Sequence, residues 1–202
     1  MDIPMLFHAQ AEIKNTAEYS DILIARAQNG DREAFGLIFE HHHRFVFKFI
    51  YAMTGEAAAA EELTQETFLG AYKNIHALRG DARLKTWLCG IAKNVVYKSF
   101  RTRGKDLAQN DDDIESLDVS GDEKTAPDRE FLSKELNQKI SKALENLDAD
   151  KRVVFTLKEL QHLSYKEIAE ITGHSIPKLK TDLHRAKIEM RAALRPYLEV
   201  KK

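Results

Sequence analysis

A chain of 202 residues with 43% hydrophobic content suits one compact domain or two small ones. Its single cysteine excludes an internal disulfide framework, no apolar run approaches membrane-spanning length, and a formal net charge of -1 does not by itself point to nucleic acid. Only 4 Pro and 9 Gly, among long stretches of Ala, Leu, Glu and Lys, predict an all-α chain. Cys89 lies amid Trp87, Leu88 and Ile91 and reads as a small core residue of a protein in a reducing compartment. The first twenty residues lack a basic start followed by an apolar stretch, so a cytoplasmic protein without membrane insertion is expected.

Residues 1–20 read as an N-terminal extension. From 21 to 105 the chain has helical periodicity throughout. Asp31 is placed to cap a helix that runs through Ala34, Phe35, Ile38 and Phe39 into Phe45, Phe49 and Tyr51, an aromatic-rich element suited to a bundle core. The next helix, about Glu61 to Ile75, puts Phe68, Ala71, Tyr72 and Ile75 on its buried face. Its other side carries Glu62, Gln65, Glu66, Leu69 and Lys73, and a leucine flanked by Gln and Glu on a polar face hints at a protein-binding surface. A third helix, from about Leu84, buries Leu84, Leu88, Ile91 and Val95. It aligns Asn94, Lys98, Arg101 and Lys105 on an adjacent face, a polar and cationic stripe able to track a DNA backbone.

Charge then changes sign. Lys85 to Lys105 holds six basic residues and no acid, whereas Asp106 to Glu130 holds ten acids against Lys124 and Arg129. Such segregation argues for segregated functions. The stretch 106–127, acidic and nearly devoid of aromatics, with Gly121 and Pro127, buries too little apolar surface to order itself and reads as a flexible linker. The remaining segment, 128–202, opens on a helical stripe of Phe131, Leu132, Leu136, Ile140, Leu144 and Leu147.

Two short helices joined by a tight turn follow. Ser164 and Glu167 form a capping box that fixes the first start, and Gly173 sits where that helix must stop in a left-handed conformation. Ala169 is small enough for the helices to cross closely. Ser175 is placed to cap the second helix, with Pro177 tolerated in its first turn. The pattern is that of a helix-turn-helix whose second helix enters a DNA major groove, or, more plainly, of an αα-hairpin in a bundle. In the second helix Leu179, Leu183, Ala186, Met190 and Leu194 make one apolar stripe. The opposite face carries Lys178, Thr181, Asp182 and Arg185, with Lys180 and His184 on the flank. A cationic, hydroxyl-bearing face opposite a core stripe is what phosphate and base-edge contacts need. Asp182 would repel phosphates unless it accepts from a cytosine amino group or pairs with Arg185.

These residues resemble a known family, the bacterial sigma factors of the extracytoplasmic-function type. Glu62-Leu-Thr-Gln-Glu-Thr-Phe68 is similar to the helix that docks on core RNA polymerase. Lys85 through Asn94 resembles the helix of promoter melting and -10 recognition, and Leu163 through Ala186 resembles the helix-turn-helix that reads the -35 element. The chain departs from the family at Lys98, where an acid is usual, and in the early recognition helix. The resemblance implies two small helical domains on a linker: 21–105 binding core polymerase and the -10 element, and 128–202 binding the -35 element. It implies polymerase contacts at Glu62, Gln65, Glu66, Leu69 and Lys73. It implies -10 contacts at Arg79, Asp81, Arg83, Trp87, Asn94, Lys98 and Arg101, and -35 contacts at Lys178, Lys180, Thr181, His184 and Arg185. Within this scheme the loop His76 to Arg83 would hold an extruded base. Trp87 is either a stacking wedge there or a core residue. Partners would be core polymerase, promoter DNA and an anti-sigma protein.

Other readings fit less of the chain. A metalloenzyme would rest on Glu40-His41-His42-His43, but consecutive histidines diverge on a helix and lack the i, i+4 metal spacing, so no metal, no cofactor and no catalytic residue is expected. Neither a phosphate-binding glycine loop nor a serine nucleophile elbow occurs. A free-standing helix-turn-helix regulator leaves the Glu61 to Ile75 surface unexplained. A helical adaptor that binds only proteins has no use for two basic faces.

Overall fold

The structure is a computed structural model that describes residues 21–78, 84–107, 136 and 138–198, with backbone alone at 103–107 and 198. Among the described residues every regular element is helical. Helix α1 (21–28) ends at Gly30, whose φ of +87° suits a residue without Cβ. The Gln28 side-chain amide donates to Ile75 O at 3.1 Å and Leu78 O at 2.7 Å, which pins α1 to the far end of the next helical pair.

Helix α2 (Arg32–Thr54) starts where its cap dictates: Asp31 Oδ1 accepts from the amides of Glu33 and Ala34 at 3.0 and 3.1 Å. It closes on Gly55, at φ +73°, whose amide donates to Tyr51 O. Helix α3 (Ala57–Asn74) begins four residues ahead of the sequence expectation, because the run Ala57–Ala60 is made of the strongest helix former; a 3₁₀ turn (Ile75–Ala77) ends it. Helix α4 (Leu84–Leu107) runs two residues into the stretch read as linker. The rest of that stretch, the extension 1–20, and the loop residues Arg79, Asp81 and Arg83 lie outside the described residues.

Helix α5 (138–145) leads to α6 (Ala149–Phe155), where Asp148 Oδ1 accepts from the Lys151 amide at 2.9 Å; α6 runs on into a π turn (Thr156–Leu160). Helices α7 (Tyr165–Thr172) and α8 (Ile176–Leu198) follow.

Helices α2, α3 and α4 pack on one another around Val46, Phe49, Ile50, Phe68, Ala71 and Leu88, all buried. Cys89 is among them, and burial pushes its thiol up to about 12, so it is a packing residue rather than a nucleophile. Two expectations need correction here. On α4 the buried positions after Leu88 are Cys89, Ala92 and Val96, while Ile91 and Val95 are half-buried: the helix turns its small residues inward to approach its neighbours closely. Tyr72 is 43% exposed rather than buried, and its ring stands edge-on to Phe35 at the rim of the bundle.

In the second bundle α8 buries Leu179, Leu183, Ala186 and Met190 as its stripe requires, with Leu194 half-buried. Leu144 and Leu147 are buried, but Leu136, expected on the same stripe, is 49% exposed. The two bundles are in contact. Helix α4 lies against α7, and residues of both bundles form one continuous core.

Candidate nucleic-acid interface

The helix-turn-helix is built by local chemistry. Ser164 Oγ accepts from the Glu167 amide at 3.3 Å, while the Glu167 carboxylate accepts from the Ser164 amide at 2.8 Å, so the first helix has one possible start. Gly173, at φ +74°, donates its amide to Ala169 O at 2.8 Å and turns the chain into α8. The Leu179 amide donates to Ser175 O at 3.0 Å, which makes Ser175 the residue from which α8 starts.

With its apolar stripe turned inward, α8 leaves Lys178, Lys180, Thr181, His184 and Arg185 exposed. Their surroundings differ. Lys178 Nζ donates to Asp150 Oδ2 at 2.8 Å and to Asp182 Oδ2 at 2.6 Å. The Asp150 bond, then that to Asp182, raises the Lys178 ammonium above its ordinary range. The same Lys178 bond holds Asp150 below its own range. His174 Nε2 lies 3.2 Å from that carboxylate. The partner of Asp182 is therefore Lys178, one turn back, and not Arg185. Lys180 stands over the Tyr165 ring at 5.7 Å, and Thr181 donates its hydroxyl to Pro177 O at 3.1 Å.

The second exposed surface is on α3. Glu62, Gln65, Glu66, Leu69 and Lys73 all face solvent, and Leu69 is 61% exposed in their midst. Beside Gln65 a groove of about 450 Å³ opens between α2 and α3, floored by Phe39, Phe47 and Thr64 and edged by His43, Arg44 and Glu61. The ring of His43 stacks on Phe39 at 5.2 Å. His43 and His41 direct Nδ1 to Glu40 O (3.1 Å) and Leu37 O (2.6 Å) on their own helix.

The third surface is the α4 stripe. Asn94, Lys98 and Arg101 are exposed in line; of Lys105 the backbone alone is described. Lys98 Nζ donates to Glu66 Oε1 at 3.0 Å, which brings the stripe up to the edge of the α3 surface. Trp87 is half-buried and packs against the core. Two polar residues escaped the sequence reading. Lys93 and Asp150 line one small cavity where the bundles touch, and neither belongs to a periodic face that could have singled it out.

Residues 38–106 match Sigma-70 region 2, and residues 137–190 match Sigma-70, region 4. The ECF RNA polymerase sigma-E factor of Escherichia coli K12 is 31% identical over 173 residues, which is 82% of this chain and 89% of that protein. The chain belongs to the extracytoplasmic-function sigma factors of the sigma-70 family. The RNA polymerase sigma-H factor of Pseudomonas aeruginosa is 28% identical over 91% of this chain and 97% of its own length. Among solved structures, the sigma factor RpoE of Bartonella quintana, in complex with the anti-sigma factor NepR, superposes with a TM-score of 0.68 at 26% identity. That match covers 80% of this chain and 96% of RpoE. CnrH, solved with the cytosolic domain of CnrY, shares the fold at 19% identity and a TM-score of 0.67, over 91% of this chain and 99% of CnrH.

The sigma factor is thus a transcription initiation factor that directs promoter recognition by RNA polymerase. Region 2 takes in α3 and α4, and region 4 takes in the helix-turn-helix. Among the described residues no helix is long and apolar enough to cross a membrane.

Proposed function

We propose that this sigma factor docks on core RNA polymerase through Glu62, Gln65, Glu66, Leu69 and Lys73. It reads the -10 element with Arg79, Asp81, Arg83, Trp87, Asn94, Lys98 and Arg101, and the -35 element with Lys178, Lys180, Thr181, His184 and Arg185. The observation that carries the docking surface is Leu69, 61% exposed on a face whose other members are charged or amide-bearing. An apolar centre with a polar rim is the anatomy of a protein interface. Binding to polymerase positions the weaker DNA contacts, which explains how a nearly neutral chain selects promoters. The units are 21–105 and 128–202, with 106–127 as the tether between them and 1–20 as an extension. The protein acts in the cytoplasm, as a binding factor rather than an enzyme, and an anti-sigma protein is a further partner.

The test is transcription from a promoter library by purified core polymerase, with and without the sigma factor. Promoter-specific transcripts that appear only in its presence, sharing sequence at both elements, support the reading. Specific duplex binding without polymerase, together with no added transcripts, would establish a free-standing regulator instead.

A further inference from the structure

One carboxylate outside α8 sets where the first cation of that helix stands. Asp150 sits in the first turn of α6, whose start is fixed by the Asp148 cap and whose Val153 and Val154 are buried, so its place is rigid. Asp150 Oδ2 accepts from Lys178 Nζ at 2.8 Å, and His174 Nε2, in the turn between α7 and α8, lies 3.2 Å from the same oxygen. Asp182 Oδ2, one turn further along α8, accepts from that ammonium at 2.6 Å. Lys178 is thus held from two helices at once. Nothing in helix formation asks for a lysine here. The first turn of α8 contains Lys178 and no acid, although the unpaired amides and the macrodipole at a helix start favour an acid over a cation. The two carboxylates offset that cost but add little to stability: the Lys178 and Asp150 side chains are 41% and 45% exposed, and water screens such pairs.

The consequence is directional. A lysine is ordinarily a mobile point charge on a four-carbon stem, suited to a phosphate and poor at telling one base from another. Its ammonium has three donors. Two of those on Lys178 are directed at Asp150 and Asp182, and one remains on a side chain that still reaches solvent beside Thr181 and Arg185. Fixing a donor before the encounter removes the ordering cost that a free lysine would meet on binding. We infer that Asp150 is a positioning residue for promoter reading, which holds Lys178 as a directional donor to one base edge instead of a roving phosphate anchor. Guanine is the base that fits. Its major-groove edge offers two acceptors, N7 and O6, and no donor, whereas adenine and cytosine each present an amino group that an ammonium cannot accept, and thymine offers one acceptor beside a methyl group. The inference rests on the proposed assignment of α8 to the -35 element.

The experiment is transcription by the full-length chain with core polymerase, from a library in which only the -35 region of one responsive promoter is randomised. Wild type should favour guanine at one position. Lys178→Met keeps the aliphatic stem, loses the ammonium, and should abolish that preference, a change on the order of tenfold. Asp150→Asn keeps the shape and removes the charge. It should cut the same preference by about threefold or more while leaving the other -35 positions, the -10 preference and the melting temperature close to wild type. The double variant should select no differently from Lys178→Met alone, because the carboxylate acts only through the lysine. An Asp150→Asn chain that keeps the preference overturns the inference. So does one that weakens every promoter equally and melts lower, since Asp150 then only braces the fold. A guanine preference that survives in Lys178→Met overturns it as well, because another side chain then reads that base, and so does the lack of any such preference in wild type. The two readings fail separately: promoter-specific transcription without these shifts refutes the positioning role alone, and the absence of promoter-specific transcription from wild type refutes the functional assignment on which it rests.

Discussion

Lys98 Nζ of α4 lies 3.0 Å from Glu66 Oε1 of α3, joining the proposed DNA-tracking stripe to the proposed polymerase-docking face. Both side chains are substantially exposed, so water screens the pair, and its worth is at most about 1 kcal/mol. A bond that weak is readily exchanged. In the proposed scheme, Glu66 turning to a polymerase partner would leave Lys98 able to meet a phosphate. The proposed docking and DNA contacts would then be adjacent without obstructing each other.

Replacing Gln65 and Glu66 together by alanine should leave thermal stability almost unchanged, within about half a kcal/mol, because both lie on the solvent face of α3. Binding to core polymerase should fall sharply. The readout is co-purification with core enzyme rather than transcription, since the double variant also frees Lys98. Undiminished recovery of the complex would remove α3 as the docking face.

The two proposed DNA-reading surfaces should fail in different ways. Arg185 and Thr181 share the outward face of α8, whereas Lys180 sits on its flank over Tyr165. Arg185→Ala should weaken promoters according to their -35 sequence, by roughly 1–3 kcal/mol where a base contact is lost. Lys180→Ala should weaken all promoters about equally and flatten the salt dependence. Arg101→Ala should impair the -10 side alone. Randomised-promoter transcription with the three variants separates these outcomes. A change confined to -10 preference in Arg185→Ala would reverse the assignment of regions to elements.

Asp182 places a carboxylate on α8, the proposed reading helix, where Lys178 Nζ donates to it at 2.6 Å. Alanine there removes a charge that repels the duplex. A phosphate about 10 Å away contributes roughly 0.4 kcal/mol of repulsion in water, so a few of them make Asp182→Ala bind promoter DNA about two- to fivefold more tightly at low salt. The gain should vanish near 0.5 M salt, where screening is complete at this range. Weaker binding to promoters with one particular base, with others unaffected, would show instead that Asp182 accepts a hydrogen bond from that base.

His42, half-buried on α2, has its ring pushed down to about 4, chiefly by burial, with help from the charges of Lys85 and His41. In the unfolded chain the imidazole returns to about 6.5. The unfolded state therefore binds more protons between these values. Stability from keeping His42 neutral is fully present above about pH 6.5 and is lost as the pH falls toward 4. Since the ring remains partly solvated, the effect should be on the order of 1–2 kcal/mol. Urea unfolding of wild type and His42→Gln at pH 7.5 and pH 4.5 measures it. Parallel pH dependence in the two proteins would remove His42 as the source.

Whatever depends on near neighbours in the chain is legible without the fold. Ser164 and Glu167 lie within one helical turn, Gly173 acts on a backbone angle, and the stripe from Leu179 to Met190 follows from the helical period, so each was readable from its neighbours. The all-α class, the Asp31 cap and the exposed face around Leu69 follow for the same reason. Packing in three dimensions sets the rest, which involves partners far apart in the chain. Lys178 finds Asp150 across 28 residues, Lys93 finds Ile171 across 78, and Arg152 finds Met53 across 99. Periodicity assigns a residue to a face but carries no information about what will cover that face. Thus periodicity points Ile91 and Val95 to the core that Ala92 and Val96 occupy, and points Tyr72 inward although it stands at the rim. The packing of α4 on α7 depends on how two separately legible bundles fit each other, a matter of shape and long-range pairing that no window of sequence contains.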